Sequence, residues 1–163
     1  MLAIAIAGPR KSGKTTLLSL LAEELERRGK TVAAIKYSNH PLEQENTDAF
    51  WLRRLGRTIV NVAPEETVLF WSEALSFERI TALLDADVLL LEGGGAPADI
   101  SRILCLPEDA EEAIACIAQH GDFTVIASVG GSVPAEGVPH FQEAEPVAAE
   151  KLATLILERG TTL

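Results

Sequence analysis

Nine residues near the start of the chain, 8–16 (GPRKSGKTT), restrict its possible folds more than any other stretch. They fit the pattern of Gly, four residues, Gly, Lys and then Ser or Thr, with Gly8, Gly13, Lys14 and Thr15 at the required places. An apolar run of strand length, Leu2–Ala7, precedes them. After them, Leu17, Leu18, Leu21 and Leu25 share one helical face over residues 16–28, with Glu23, Glu24, Arg27 and Arg28 on the others, and Gly29 stops the helix. A strand–loop–helix turn of this kind aims several backbone N–H groups at one point, and the helix dipole adds positive potential there. Glycine at 8 and 13 permits backbone angles and close approaches that a Cβ would hinder. In that geometry Lys14 places its charge on the β- and γ-phosphates of a nucleoside triphosphate, and the Thr15 hydroxyl ligates Mg²⁺. Lys11, Ser12 and Thr16 belong to the same loop and are assigned to the nucleotide with it.

A chain of 163 residues with 47% hydrophobic and 23% charged residues is expected to form one globular domain, residues 1–163, with a real core. Its net charge of −10 argues against a nucleic-acid surface, because phosphates would be repelled outside a local basic patch. Of the lysines, Lys11, Lys14 and Lys36 fall in or near the phosphate site, where an anion is expected. No apolar run is long enough to cross a bilayer, and the first strand lacks the basic leader of a signal peptide. Cys105 and Cys116 are too far apart for a CxxC pair and read as buried reduced thiols, which points to the cytoplasm.

Further along, residues 31–36 read as a second strand and 37–46 as a polar loop. Residues 48–55 read as a short helix ended by Gly56. Residues 58–62 and 67–71 are β-rich runs separated by only Ala63-Pro64-Glu65-Glu66, too few for a crossover, so they predict an antiparallel hairpin extension at one sheet edge. A helix over 77–84, strands over 88–91 and 102–106, an Ala-rich helix opened by Pro107 and Glu108, a strand over 123–128 and a closing helix over 146–159 complete the pattern. The Gly- and Pro-rich stretch 129–145 reads as a loop, with a short strand at 138–141. Apolar strands alternating with helices predict an α/β fold of the P-loop NTPase type, a mostly parallel sheet with helices on both faces.

In such sheets ligands sit beyond the carboxyl ends of the strands. Asp87 and Glu92 bracket one strand and lie about 16 Å apart at the usual rise, so only one can reach the phosphates. Glu92 is at the carboxyl end and takes the second acidic role toward Mg²⁺; Asp87 begins the strand and takes a capping role. Gly93, in the run Glu92-Gly93-Gly94-Gly95, lets the backbone approach a γ-phosphate. Lys36 ends a strand on the same rim and could touch a phosphate or a second substrate. Asp48 opens a helix, where the dipole favours a carboxylate; its functional reading is to position Mg²⁺ or water. His40, Arg53, Arg54 and Arg57 read as loop or helix-face residues.

Taken in order, residues 8–16, Ala34-Ile35-Lys36, the polar loop with His40, Asp48 with Arg53 and Gly56, the hairpin VNVAPEETVLFW and DVLLLEG resemble the molybdopterin-guanine dinucleotide biosynthesis protein B (MobB) family. The likeness covers about the first 105 residues in order. It implies a homodimer that binds GTP with Mg²⁺ and hydrolyses it weakly. It also implies assistance to a partner transferase, MobA, which attaches GMP to the molybdenum–pterin cofactor. By position it carries over Gly8, Gly13, Lys14, Thr15 and Thr16, with Glu92 and Asp48 as the catalytic and metal-holding carboxylates. The chain departs from the family in having His40 alone after Lys36, and in having Gly94 and Gly95 where an aromatic and a lysine often stand. Arg102 could substitute for the missing cation toward a pterin phosphate. Two alternatives share the loop: an ATP-dependent kinase or ligase of a small metabolite, disfavoured by the lack of arginine over residues 108–122, and a nucleotide-gated metal-delivery factor, disfavoured by the scattered Cys and His.

Overall fold

The structure, a computed structural model, describes residues 1–38, 58–71 and 73–163. The chain forms two compact units, Met1–Tyr37 with Asp85–Leu163, and Ser38–Leu84. The helix expected over 48–55, with Asp48, His40 and the three arginines Arg53, Arg54 and Arg57, lies outside the described residues.

The larger unit is built on β1 (Leu2–Ala7), whose residues from Ala3 onward are buried on both faces. Its apolar side chains alternate in size. Ile4 and Ile6 face one side, where they pack with Leu17, Leu21 and Leu25 of α1 (Lys14–Arg27) and with Leu152 and Ile156 of the last helix, α4 (Pro146–Arg159). Ala7 packs on the other side, against Ala113 and Cys116 of α3 (Ala110–Gln119). Helices therefore cover both faces, as the unbroken apolar strands predict.

The sheet runs in the order β2 (Val32–Lys36), β5 (Val88–Glu92), β1, β6 (Arg102–Cys105), β7 (Val125–Val129), β8 (His140–Phe141). All of these pairs are parallel. A last strand, β9 (Thr161–Thr162), pairs antiparallel with Leu2 and Ala3, ahead of the stretch of β1 that β6 occupies. Nothing in the sequence signalled β9, since two threonines after a helix stop carry no pattern. Its register comes from the bonds of Thr161 to Ser101 and Asp99.

Chain order reverses across β1: the segments before β6 lie to one side and those after it to the other. That is the switch point where such sheets hold ligands, and the loop that starts at Gly8 leaves β1 there. Register then decides what meets the loop. Ile6 pairs with Glu92, and Glu92 pairs with Lys36. The sequence boundary for β5 stopped one residue short, because a carboxylate reads as a strand terminator.

In the second unit, β3 (Ile59–Val62) and β4 (Thr67–Phe70) form the expected hairpin. It is a two-stranded sheet of its own rather than an edge of the main sheet, which corrects the expectation. The helix α2 (Phe77–Thr81) is shorter than the apolar spacing suggested. Another correction concerns α3: Pro107 does not open it. Asp109 caps it, its carboxylate accepting the Glu112 N–H at 2.9 Å.

At the far end of β5, Asp87 accepts from the Thr31 N–H at 2.9 Å and from the Thr31 hydroxyl at 3.2 Å. These bonds hold its carboxyl below the usual value. A depressed folded value contributes stability that is fully present above the unfolded carboxylate range, about pH 4. That stability is lost as pH falls through the folded value. Asp87→Ala should therefore lower the melting temperature slightly at neutral pH and remove part of its fall on acidification. Nucleotide affinity, read by calorimetry, should stay unchanged.

Candidate nucleotide-binding site

The loop between β1 and α1 owes its shape to two glycines in different ways. Gly8 has a φ of 145°, and a Cβ there would lie 2.1 Å from the Cys105 carbonyl oxygen. Gly13 has a φ of 82° with open space around it. So Gly8 is required by close packing on β6, and Gly13 by its left-handed conformation alone. Between them Lys11 also adopts a positive φ of 65°, and the Ser12 hydroxyl donates to the Pro9 carbonyl at 2.9 Å. The Lys14 ammonium donates to the same Pro9 oxygen, so its stem folds back over the loop.

Helix α1 starts at Lys14 behind Gly13, with no side-chain cap and no acidic residue in its first turn. The first N–H groups of a helix have no partner within it. At two other helices such groups are covered: Ser76 caps α2 and Asp109 caps α3, each followed by Glu in the first turn. Helix α4 has no side-chain cap either, but opens on a proline, which has no N–H to satisfy. At α1 the positive end of the dipole stays open to an anion. Thr15 and Thr16 sit in this turn and are exposed.

Opposite it stands Glu92, only 7% exposed. The Thr15 hydroxyl lies 3.0 and 3.1 Å from its two carboxylate oxygens, and the Lys36 ammonium lies 3.5 Å from Oε1. Register alone accounts for this convergence, since Glu92 sits beside Ile6, two residues before Gly8. Glu92, Thr15 and Lys36 are thus brought together, while Asp87 is at the opposite end of the strand.

Gly93 and Gly95 have a role that the sequence did not disclose. A Cβ on Gly93, at φ 111°, would lie 2.8 Å from the Tyr37 carbonyl; one on Gly95 would lie 2.4 Å from the Tyr37 ring. The Gly93 N–H points back to the Ile6 carbonyl at 3.4 Å. These glycines seat Tyr37 beside Glu92, whose carbonyl accepts the Tyr37 N–H at 2.8 Å. The signal was the triple glycine, but its partner lies more than fifty residues away in sequence.

On the β7 side, Gly130 and Gly131 take φ of 75° and 70°, close against the carbonyls of Leu106 and Pro107. Ser128 is fully buried, 2.9 Å from His140 Nδ1, so its hydroxyl is committed inside the fold. Both cysteines are free and buried, and burial pushes the Cys105 thiol up to about 12.

A sequence profile of the family described as molybdopterin guanine dinucleotide synthesis protein B (MobB) matches residues 3–128. The chain belongs to this family. Solved MobB structures have a similar fold. One from Bacillus subtilis superposes with a TM-score of 0.75 at 20% identity, over 95% of this chain and 98% of that one. A molybdopterin-guanine biosynthesis protein B gives 0.69 at 23% identity, over 96% and 97%. A MobB homolog from Bacillus stearothermophilus gives 0.69 at 17% identity, over 98% and 100%. A comparison with curated proteins finds no match. MobB membership bears out the resemblance carried by the ordered motifs, including the stretch from β1 through β5. Among the described residues, no helix is long and apolar enough to cross a membrane.

The two loop glycines should respond differently to a methyl group. Gly13→Ala carries only left-handed strain, about 1–3 kcal/mol. Gly8→Ala must also push β6 away, so it should lower the melting temperature more and abolish phosphate binding; equal melting curves for the two variants would contradict the packing assigned to Gly8.

Proposed function

We propose that this chain is a GTP-binding accessory protein of molybdopterin guanine dinucleotide synthesis, with weak Mg²⁺-dependent GTP hydrolysis. The observation that carries this reading is the convergence of the Thr15 hydroxyl and the Glu92 carboxylate beside an uncapped helix start, in a chain of the MobB family. Loop N–H groups and Lys14 hold the phosphates, with Lys11, Ser12 and Thr16 around them. The donors suit Mg²⁺, a hard cation that takes oxygen ligands. One hydroxyl and one carboxylate already meet within 3.1 Å, and a cation, Lys36, lies 3.5 Å from Oε1 of the same carboxylate. Thr15 and Glu92 would hold the ion, with Asp48 as a further ligand or water-orienting base. Bound there, Mg²⁺ would neutralise charge on the β- and γ-phosphate oxygens. Gly93 sets the backbone at the same rim, and Lys36 contacts the terminal phosphate.

Within this reading the whole chain acts as one nucleotide-binding domain in the cytoplasm. It works with molybdopterin and a MobA-like transferase rather than turning over substrate rapidly alone, and it acts as a homodimer. Support for the dimer comes from the hairpin. Val60 pairs with Leu69 and Val62 with Thr67, so Val60, Val62 and Leu69 share one face, at 56%, 73% and 41% exposure. Apolar side chains exposed side by side on a two-stranded ribbon suit burial against a copy of itself.

Calorimetric titration with GTP and ATP, with and without Mg²⁺, tests the site. GTP should bind more tightly than ATP, and Lys14→Ala should weaken binding at least about tenfold, since a charge-assisted hydrogen bond is worth about 1.5–3 kcal/mol. Glu92→Gln should reduce the Mg²⁺-dependent part more than Asp87→Asn does; the opposite order would overturn the metal assignment. Val62→Glu should shift the mass measured by light scattering from dimer to monomer, and a wild-type monomer at high concentration would end the dimer reading.

A further inference from the structure

We propose that a cavity between the phosphate loop and α3 binds the anionic group of a second small molecule, a phosphate monoester or a carboxylate, with the Arg102 guanidinium as its anchor. The cavity measures about 780 Å³, within the usual range for a small-molecule site. Its walls come from the start of the phosphate loop, from Gly93 and Gly94, and from one side of α3.

Arg102 lies in that wall and is 3% exposed. Its guanidinium stacks on the Phe123 ring at 3.6 Å. Nη2 donates to the carbonyls of Ala96 and Pro97 at 3.3 and 3.4 Å, and Nε is buried with no hydrogen-bond partner. Among the described residues no carboxylate lies within ion-pair distance of it. Desolvation lowers its pKa, yet a guanidinium stays protonated.

A buried charge without a counter-charge is costly, and native proteins seldom leave a buried donor unpaired. Two weak carbonyl bonds do not neutralise Arg102; an oxyanion would. The planar fork suits a carboxylate or phosphate, and the Phe123 face holds its plane. Ala96, Ala98 and Ala115 leave an apolar path for an organic body behind the charged head. Glu112 stands on the exposed α3 rim and opposes an anion at the mouth, so the charge seats deep, at Arg102; Arg10 on the other rim offsets that carboxylate.

The cavity shares Gly8 and Pro9 with the phosphate loop, so its ligand would lie beside a nucleotide. The site does not require one. Phenyl phosphate and phenylacetate are therefore titrated separately by calorimetry into four proteins: wild type, Lys14→Ala, Arg102→Met and Ala115→Trp. Ala115 is exposed on α3, so tryptophan there fills the cavity without entering the core.

Wild type and Lys14→Ala should bind one equivalent of at least one probe at millimolar concentrations, and the stronger probe identifies the anion class. Arg102→Met and Ala115→Trp should each weaken that binding about tenfold or more, as expected for loss of a charge-assisted bond or of the space itself. If Arg102→Met fails to fold by circular dichroism, Ala115→Trp decides. No saturable binding to wild type would overturn the proposal, as would binding that survives both cavity variants. Binding lost in Lys14→Ala alone would also overturn it, by placing the anion in the phosphate loop. A Lys14→Ala protein that loses GTP but keeps the probe separates this site from the nucleotide reading.

Discussion

The parallel pairing of β1 with β5 is the interaction on which the site depends. It sets Glu92 beside Ile6, and the chain then turns at Gly8 and comes back as α1, so the Thr15 hydroxyl meets the carboxylate at 3.0 Å. Glu92 lies on the same face as Val88 and Leu90, toward α1, and a one-residue slip in that pairing would turn it to the opposite face, away from Thr15. The apolar pattern prevents the slip, because Val88 and Leu90 on β5 and Ile4 and Ile6 on β1 share one core cluster. The geometry of a polar site is thus secured by apolar side chains that never touch the ligand.

Charge placement follows the same economy. The net charge is −10, yet the first turn of α1 contains no acid, and Lys14, Lys36 and Lys11 lie around it. The acids go where they satisfy the backbone. Asp109 and the two glutamates after it cover the start of α3, and Asp87 covers Thr31. At those ends a carboxylate accepts the free N–H groups; at α1 the same groups stay available for a phosphate. At the other end of α1 Glu24 accepts from the Arg27 and Arg28 side chains instead, and Arg28 also reaches Thr154 and the Glu150 carbonyl on α4.

Around the loop the backbone comes unusually close to itself. Gly8 lies against Cys105, Gly93 against Tyr37, and Gly131 against Pro107, each with no room for a side chain. The rim is therefore a set of interlocked turns at the carboxyl ends of β1, β5, β6 and β7. Such a rim holds its N–H groups in place before a ligand arrives, which lowers the ordering cost of binding.

How much of this was legible in the residues depends on how far each partner lies along the chain. The GxxxxGKT pattern, the strand before it and the helix after it are local, and they were enough to place Lys14, Thr15 and the carboxyl-end position of Glu92. The hairpin was equally local, with four residues between its strands. Three things had no local signature: the pairing of β9 with β1, the packing of Tyr37 into the triple glycine, and the burial of Arg102 over Phe123. A sequence records which residue has a charge, a hydroxyl or no Cβ, and its periodicity tells strand from helix. It does not record which strand lies next to which, and only that neighbourhood turns an arginine after a loop into a buried cation beside the turn at Gly8.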